Sequence, residues 1–94
     1  MTAPTQARPV VLVSGAARRI GAVIAQTLHA AGHDLALHCR NSRDDLDQLI
    51  AKLERERPNS TLALQADLSD LTQMPALIEA TMQRFGRLDG LVNN

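Results

Sequence analysis

Basic and glycine residues follow the first apolar run of the chain. The run predicts a strand over Val10–Ser14, and Gly15 and Arg18 come just before an apolar pattern of helical spacing. A strand, a tight turn and a helix N-terminus in this order expose backbone N–H groups, and the helix dipole adds partial positive charge. The segment ending at Gly21 is therefore predicted to bind a phosphate group. By itself, the spacing of Gly15 and Gly21 also fits a plain strand-to-helix turn without a ligand.

A second group with binding chemistry ends the second apolar run, Leu35–Cys39. About 20 residues beyond a phosphate-binding turn, an NAD site places an acid that bonds the ribose 2′-hydroxyl, but here Arg40 follows Cys39. A guanidinium suits a 2′-phosphate through bidentate, charge-assisted hydrogen bonds. We therefore expect NADPH as the cofactor, with Arg40 and Arg18 as phosphate ligands. The alternative is that both arginines are solvated surface residues.

Polar residues also follow the third and fourth apolar runs. After a strand predicted over Thr61–Ala66, the Asp67 carboxylate can accept from an adenine amino group while Leu68 flanks the ring. The alternative role for Asp67 is to cap the next helix. After a strand predicted over Leu88–Val92, two adjacent asparagines end at Asn94. They follow the carboxyl end of a strand, where ligands bind in sheets of this kind.

The first helix that positions these groups follows the glycine turn. Apolar residues at three- and four-residue spacing predict a helix from Ile20 to Ala31, with Ile20 and Val23 on its buried face. Gly32 is predicted to lie just after its end, where a left-handed conformation is common.

Two further helices alternate with the remaining strands. Ser42 is predicted to cap the second helix, which Pro58 stops. The third is predicted over Asp70–Phe85 with Met82 facing inward, and a proline near its start also allows it to begin nearer Met74. Alternation with short connections implies parallel strands and right-handed crossovers. The predicted fold class is therefore α/β, a doubly wound parallel sheet of Rossmann type, represented by its first four strands and three helices.

Composition narrows the class of protein. The 94 residues are 45% hydrophobic, and the formal net charge is zero with the charges interspersed, which argues against a nucleic-acid-binding surface. No apolar run approaches the roughly 20 residues of a membrane span, and residues 1–9 read as a flexible polar arm without a secretory signal.

The lone Cys39 offers no disulfide or metal site and is predicted in the core, with His29 and His33 at the surface. We expect a cytoplasmic protein, with residues 10–94 the N-terminal part of a dinucleotide-binding domain truncated after its fourth strand.

Together these motifs resemble the short-chain dehydrogenase/reductase family over Val10–Asn94. The family's glycine motif reads T-G-x-x-x-G-x-G, and here Ser14 stands for the threonine while Arg19 takes the place of the middle glycine. An arginine there resembles the pteridine reductase branch, as does the His-containing segment Leu37–Ser42. That segment departs from the branch by reading Arg-Asn-Ser where His-Arg-Ser is typical. Asn93-Asn94 matches the start of the family's N-N-A motif.

The resemblance implies an NADPH site that draws on all four strand ends. In the turn, Arg19 would bring its backbone to the pyrophosphate and its side chain to a pterin, where its charge can hold an anion or a polarised carbonyl. His38 would pack near the adenosine, or else is a buried strand residue. The implied cofactor-binding residues are Ser14, Gly15, Arg18, Arg19, Ile20, Gly21, His38, Arg40, Asn41, Ser42, Asp67, Leu68 and Asn94.

The resemblance also implies an oxidoreductase in which the nicotinamide supplies hydride to a small-molecule pterin of the dihydrobiopterin or dihydrofolate type. In the family a Tyr donates the proton beside a Lys four residues on, and this chain has no Tyr. The segment alone is therefore expected to hold no catalytic residue and to be inactive. Family members are commonly tetramers, which implies a homo-oligomer at full length, without nucleic-acid or membrane partners.

Two alternative functions remain open. An NADPH-dependent carbonyl or 3-oxoacyl-carrier ketoreductase would share the cofactor site, but a glycine is more usual there at the position of Arg19. A non-catalytic nucleotide-binding protein would keep the fold and lack the chemistry.

Overall fold

Within residues 8–94, strands and α-helices alternate along the chain. The computed structural model describes these residues, and residues 1–7, which make up most of the predicted arm, lie outside the described part. The strands are β1 (Val10–Val13), β2 (Asp34–Cys39), β3 (Thr61–Gln65) and β4 (Gly90–Val92). The helices are α1 (Arg19–Ala30), α2 (Arg43–Glu56) and α3 (Met74–Phe85), the last preceded by a 3-10 turn over Leu71–Gln73.

The strands form one parallel sheet in the order β3-β2-β1-β4. Val13, at the end of β1, is in register with Leu37 of β2 and with Val92 of β4. The turn after β1 is therefore flanked by the carboxyl ends of both neighbouring strands. This arrangement confirms the α/β, Rossmann-like fold and puts the predicted binding segments at one end of the sheet.

Both faces of the sheet are covered by helices. On one face, Val13 and Leu37 belong to a buried cluster that α1 and α2 complete. On the other face, Leu12 and Ala36 pack with Leu77 of α3. Because successive strand residues point to opposite faces and both faces are buried, the strands are almost continuously apolar.

The buried face of α1 differs from the predicted one. Gly21, Ala25 and His29 are its buried residues, at four-residue spacing, whereas Ile20 and Val23 are 69% and 61% exposed. The predicted burial of Ile20 and Val23 is therefore wrong. Small residues at the contact let the start of α1 lie close to the glycine turn, and this turns the large side chains of Ile20 and Val23 outward.

His29 was predicted at the surface, but it is only 2% exposed. Its Nε2 lies 2.8 Å from Oγ of Ser60, and that hydroxyl donates to the carbonyl of Arg57 at 2.6 Å. Since the hydroxyl proton goes to Arg57, Nε2 of His29 acts as the donor to Ser60. Burial, and then the positive charge of Arg57, lower the pKa of His29. The histidine is thus a neutral core residue that joins α1 to the start of β3.

The third helix starts at Met74, which agrees with the later of its two predicted starts. Its inward face runs from Leu77 through Thr81 to Phe85, while Met82 is 43% exposed. The predicted inward position of Met82 is therefore wrong, because the contact follows a strict four-residue spacing and leaves Met82 beside it.

The carboxylate of Glu54 orders the connection between α2 and β3. It accepts the backbone N–H groups of Asn59, Ser60 and Thr61 at 2.8, 3.1 and 2.9 Å, together with the Thr61 hydroxyl. Burial opposes ionisation of Glu54, but the hydrogen bonds from Thr61 and the backbone outweigh it and lower the pKa of this carboxyl. The ionised carboxylate therefore fixes where β3 begins.

Candidate nucleotide-binding site

The glycine turn after β1 contains two glycines at which a side chain would be unfavourable. Gly15 has φ +59°, in the left-handed region that favours glycine. Gly21 lies so close to the turn that a Cβ on it would be 1.9 Å from the carbonyl oxygen of Gly15. The backbone of α1 therefore begins directly against the turn, as a phosphate-binding strand–turn–helix unit requires.

Arg19 opens α1 in the left-handed conformation, with φ +54°. This is the position at which the resemblance expects a glycine, and the backbone keeps the conformation that glycine would adopt most easily. The preceding residue, Arg18, provides no side-chain hydrogen bond to cap the helix, and no acid lies in the first turn. The first N–H groups of a helix have no intrahelical acceptor, so this terminus is suited to an external anion.

His38 joins the glycine turn to the end of β3. Its Nδ1 accepts the backbone N–H of Gly15 at 3.1 Å, and its Nε2 donates to the carbonyl of Ala66 at 2.8 Å. The ring is 4% exposed, so both nitrogens are engaged inside the protein. His38 is therefore a buried residue of β2 that holds the turn in place, and its predicted contact with the adenosine stays a prediction.

The residues after β4 close the other side of the turn. The backbone N–H of Asn94 donates to Oγ of Ser14 at 2.9 Å, and Nδ2 of Asn94 donates to the carbonyl of Gly15 at 3.1 Å. Oγ of Ser14 also lies 3.3 Å from the carbonyl oxygen of Val92 and from Oδ1 of Asn93, either of which can accept its proton. Ser14 and Asn94 therefore shape the turn through its backbone.

A cleft of about 230 Å³ opens between the turn and the end of β2. Its lining combines two guanidinium groups with a hydroxyl, an amide and a thiol, and contains no carboxylate. The lining residues are Gly15, Ala17, Arg18, Cys39, Arg40, Asn41 and Ser42. An anion of phosphate size fits the charge of this cleft better than a ribose hydroxyl does.

A second cleft of about 290 Å³ adjoins the first along the start of α2. It shares Arg18, Asn41 and Ser42 with the first cleft and adds Arg43, Asp44 and Asp45. Nε of Arg18 donates to Oδ2 of Asp45 at 2.6 Å. The Arg18 side chain thus lies between a wall without acids and a wall that holds two.

Arg40 connects the first cleft to the residues after β3. Its guanidinium lies 3.4 Å from Oδ2 of Asp67. Oδ1 of Asp67 accepts the hydroxyl and the backbone N–H of Ser69 at 2.7 and 3.0 Å, and these two bonds lower the pKa of Asp67. The residue at the N-cap of α3 is Gln73, so Asp67 closes a local turn rather than capping α3. Leu68 packs half-buried against the core on the α3 side.

The structure brings most of the expected site residues to one end of the sheet. Gly15, Arg18 and the three residues Arg40–Ser42 share the first cleft, and Asp67 reaches it through Arg40. Ile20 is exposed at the start of α1. Ser42 occupies the N-cap of α2 but makes no capping hydrogen bond with its side chain, which corrects its expected capping role and leaves the hydroxyl at the cleft.

Five residues that line the clefts were not among the expected site residues: Ala17, Cys39, Arg43, Asp44 and Asp45. Cys39 was placed in the core and is indeed 2% exposed, yet it also lines the first cleft beside Ala17. Burial raises the pKa of its thiol, so it is a neutral lining group. Asp45 lies in the first turn of α2, and nothing in the sequence shows that Arg18 reaches it.

The described residues contain neither a metal-binding cluster nor a helix that could span a membrane. No group of three or more His, Cys, Asp or Glu side chains there is arranged to hold a metal ion. Of the helices in residues 8–94, none has the length and apolar character needed to cross a bilayer.

Comparison with known proteins identifies the family. The family model described as short chain dehydrogenase matches residues 9–94. Pteridine reductase 1 of Leishmania tarentolae is 40% identical over an alignment of 110 positions, which covers 99% of this chain and 37% of the relative. A 3-oxoacyl-(acyl-carrier-protein) reductase of Staphylococcus aureus is 34% identical, with 88% of this chain and 33% of the relative covered. The chain thus spans about a third of the length of these relatives, and it belongs to the short-chain dehydrogenase/reductase family of oxidoreductases.

Proposed function

We propose that this chain is the NADPH-binding portion of a short-chain reductase of the pteridine reductase type. The observation that carries the proposal is the first cleft, which Arg18 and Arg40 both line and whose lining includes no acid. A carboxylate there would repel a 2′-phosphate and would accept from a ribose 2′-hydroxyl. Two guanidinium groups instead favour the phosphorylated cofactor.

The remaining parts of the cofactor have matching groups along the sheet end. The start of α1, with its free N–H groups and Arg19, suits the pyrophosphate. The ionised Asp67 can accept from the adenine amino group, and Leu68 lies next to it in the chain. His38, Ser14 and Asn94 hold the turn that carries these contacts. The bound nicotinamide would supply the hydride in the reaction.

Arg19 is the reason for preferring a pterin as the substrate. It occupies the glycine position of the turn with a left-handed backbone, so it presents a guanidinium where a glycine would present none. Such a charge can hold an anionic or strongly polarised ring system. The name of the Leishmania relative agrees with this substrate class. The name of the Staphylococcus relative supports the second candidate, a 3-oxoacyl-carrier ketoreductase.

We propose further that the whole protein is a cytoplasmic homo-oligomer, with a tetramer as the expected form. The family's proton-donating Tyr has no counterpart among these 94 residues, which include no Tyr. Residues 10–94 then act as the cofactor-binding part of a larger Rossmann domain, and the isolated segment is expected to be inactive.

The proposal is tested by cofactor titration of the whole protein that contains this chain. NADPH is expected to bind about tenfold or more tightly than NADH, since charge-assisted hydrogen bonds contribute about 1.5–3 kcal/mol. Arg40→Gln should remove most of that preference. Arg55→Gln, which changes the charge equally at the exposed far end of α2, should keep it. Equal affinity for the two cofactors would overturn the assignment of NADPH.

A second assay separates the candidate substrates. With saturating NADPH, the whole protein is expected to oxidise the cofactor with dihydrobiopterin or dihydrofolate and to show little turnover with a 3-oxoacyl thioester. The reverse pattern would favour the ketoreductase. Tight NADPH binding without turnover of any of these compounds would favour the non-catalytic alternative.

A further inference from the structure

We propose that Asp45 tunes cofactor selectivity by competing with the 2′-phosphate for Arg18. The inference rests on the proposed NADPH site, and it gives a role to a residue outside the expected cofactor contacts. Its starting point is the 2.6 Å hydrogen bond from Nε of Arg18 to Oδ2 of Asp45. That bond joins the glycine turn to the first turn of α2 across the cleft mouth.

Arg18 lies on the boundary between the two clefts. The first cleft has no acid in its lining, and the second has Asp44 and Asp45. A phosphate in the first cleft and the carboxylate of Asp45 in the second therefore compete for the orientation of one guanidinium, whose Nε–H Asp45 already accepts. Any hydrogen bond that Arg18 makes to Asp45 is unavailable to the cofactor.

The exposure of the pair decides how strong this competition is. The side chains of Arg18 and Asp45 are 65% and 43% exposed, so water and salt screen their attraction. A phosphate carries more charge than a carboxylate and has three acceptor oxygens, so it can draw Arg18 away. Asp45 therefore lowers the affinity for NADPH without preventing binding. NADH has no 2′-phosphate, so its affinity is not affected by this exchange.

The chain offers a matched control for the charge itself. Asp44 is the neighbour of Asp45 in the same helical turn and lines the same second cleft. Within the described residues it takes part in none of the ion pairs found, whereas Asp45 holds Arg18. Replacing either residue by asparagine changes the net charge equally, so only the direct contact distinguishes the two variants.

The test measures dissociation constants for NADPH and NADH in the whole protein at low salt. The variants are Asp45→Asn, Asp44→Asn, Arg18→Gln and the double variant Arg18→Gln with Asp45→Asn, with thermal unfolding to confirm that each one folds. Asp45→Asn is expected to tighten NADPH about two- to fivefold, which is the range for releasing an exposed ion pair. It should leave NADH unchanged. Asp44→Asn should change NADPH binding clearly less, and the gain should vanish in the double variant.

Three results would overturn the inference. Unchanged or weaker NADPH binding in Asp45→Asn would mean that Asp45 does not compete. Equal tightening of NADPH and NADH would place Arg18 on the pyrophosphate and remove the effect on selectivity. A gain in NADPH affinity that persists in the double variant, which lacks Arg18, would show a general effect of charge. Failure of the NADPH assignment itself would appear separately, as a wild-type protein with no preference between the two cofactors.

Discussion

Nδ1 of His38 accepts the backbone N–H of Gly15 at 3.1 Å, and the same ring donates from Nε2 to the carbonyl of Ala66. One buried imidazole thus links the turn expected to hold the pyrophosphate with the loop expected to hold the adenine. The two bonds require a neutral ring with its proton on Nε2. The two halves of the site are therefore joined through the interior of the protein, beneath the cleft.

Replacing His38 by leucine should destabilise the protein by about 1–3 kcal/mol, because the buried N–H of Gly15 loses its acceptor. NADPH binding should weaken as well. His38→Gln, which can keep an acceptor and a donor, should retain more of both properties. Urea unfolding and NADPH titration measure the two effects, with His33→Gln as the control on a half-buried histidine. Wild-type stability in His38→Leu would contradict the bridging role.

Gly21→Ala should destabilise the turn strongly. The new Cβ would lie 1.9 Å from the carbonyl oxygen of Gly15, so the backbone of α1 or of the turn has to move. Overpacking of this kind costs about 1–3 kcal/mol. Gly90→Ala is the matched control, since its Cβ would meet only Val11 at 3.6 Å, an ordinary contact. Thermal unfolding measures the loss of stability in both variants. A similar loss of stability at the two positions would argue against the close approach at Gly21.

Arg19→Gly is expected to stabilise the fold by about 0.5–1 kcal/mol. A left-handed residue with a Cβ costs about 1–2 kcal/mol, and the greater chain entropy of glycine offsets part of the gain. Glycine at the exposed position Ala51, in the interior of α2, should instead destabilise by about 1 kcal/mol. Chemical denaturation measures both changes. If Arg19→Gly also lowers turnover of a pterin while NADPH binding is retained, the side chain acts on the substrate.

Glu54 should make stability depend on acidity. Its pKa in the folded protein lies below the ordinary value of 4.5, so the unfolded chain binds protons more readily. The contribution of ionised Glu54 to the free energy of unfolding is fully present above about pH 4.5. It is lost as the pH falls through the pKa of Glu54 in the folded protein. Unfolding free energies of wild type and Glu54→Gln between pH 7 and pH 3 should differ by about 1–3 kcal/mol at neutral pH and converge in acid. Glu79→Gln, on exposed α3 surface, should show no such convergence, and a constant difference for Glu54→Gln would contradict the assignment.

The fold was predictable because its signals are local. Apolar runs such as Val10–Val13, separated by amphipathic helices, define parallel strands covered on both faces. The orientation of α1 was predictable only in part from its large apolar residues. Ile24 and Leu28 pack against the core, but Gly21 is a buried contact residue and Ile20 is left exposed. Small residues are weak signals in a hydrophobicity pattern, although they allow the closest packing.

The location of the candidate site was predictable, but the hydrogen-bond partners of its side chains were less so. The ends of parallel strands meet at one end of the sheet, so Arg18 and Arg40 were expected to lie near each other. The partners of their side chains depend on three-dimensional reach, and the bond between Arg18 and Asp45 has no signature in residue spacing. The burial of His38 likewise depends on its contact with Ala66, 28 positions further on.

The hydrogen bond between Ser14 and Asn94 spans 80 positions of the chain. During synthesis the segment around Ser14 and Gly15 leaves the ribosome early, but the partner that completes its turn arrives only after three helices and three further strands. Contacts of such sequence separation form late and slow folding. The nascent protein therefore has its first strand and helix long before it has a finished anion site. Cofactor that is present during synthesis can bind to the domain only once β4 has paired with β1.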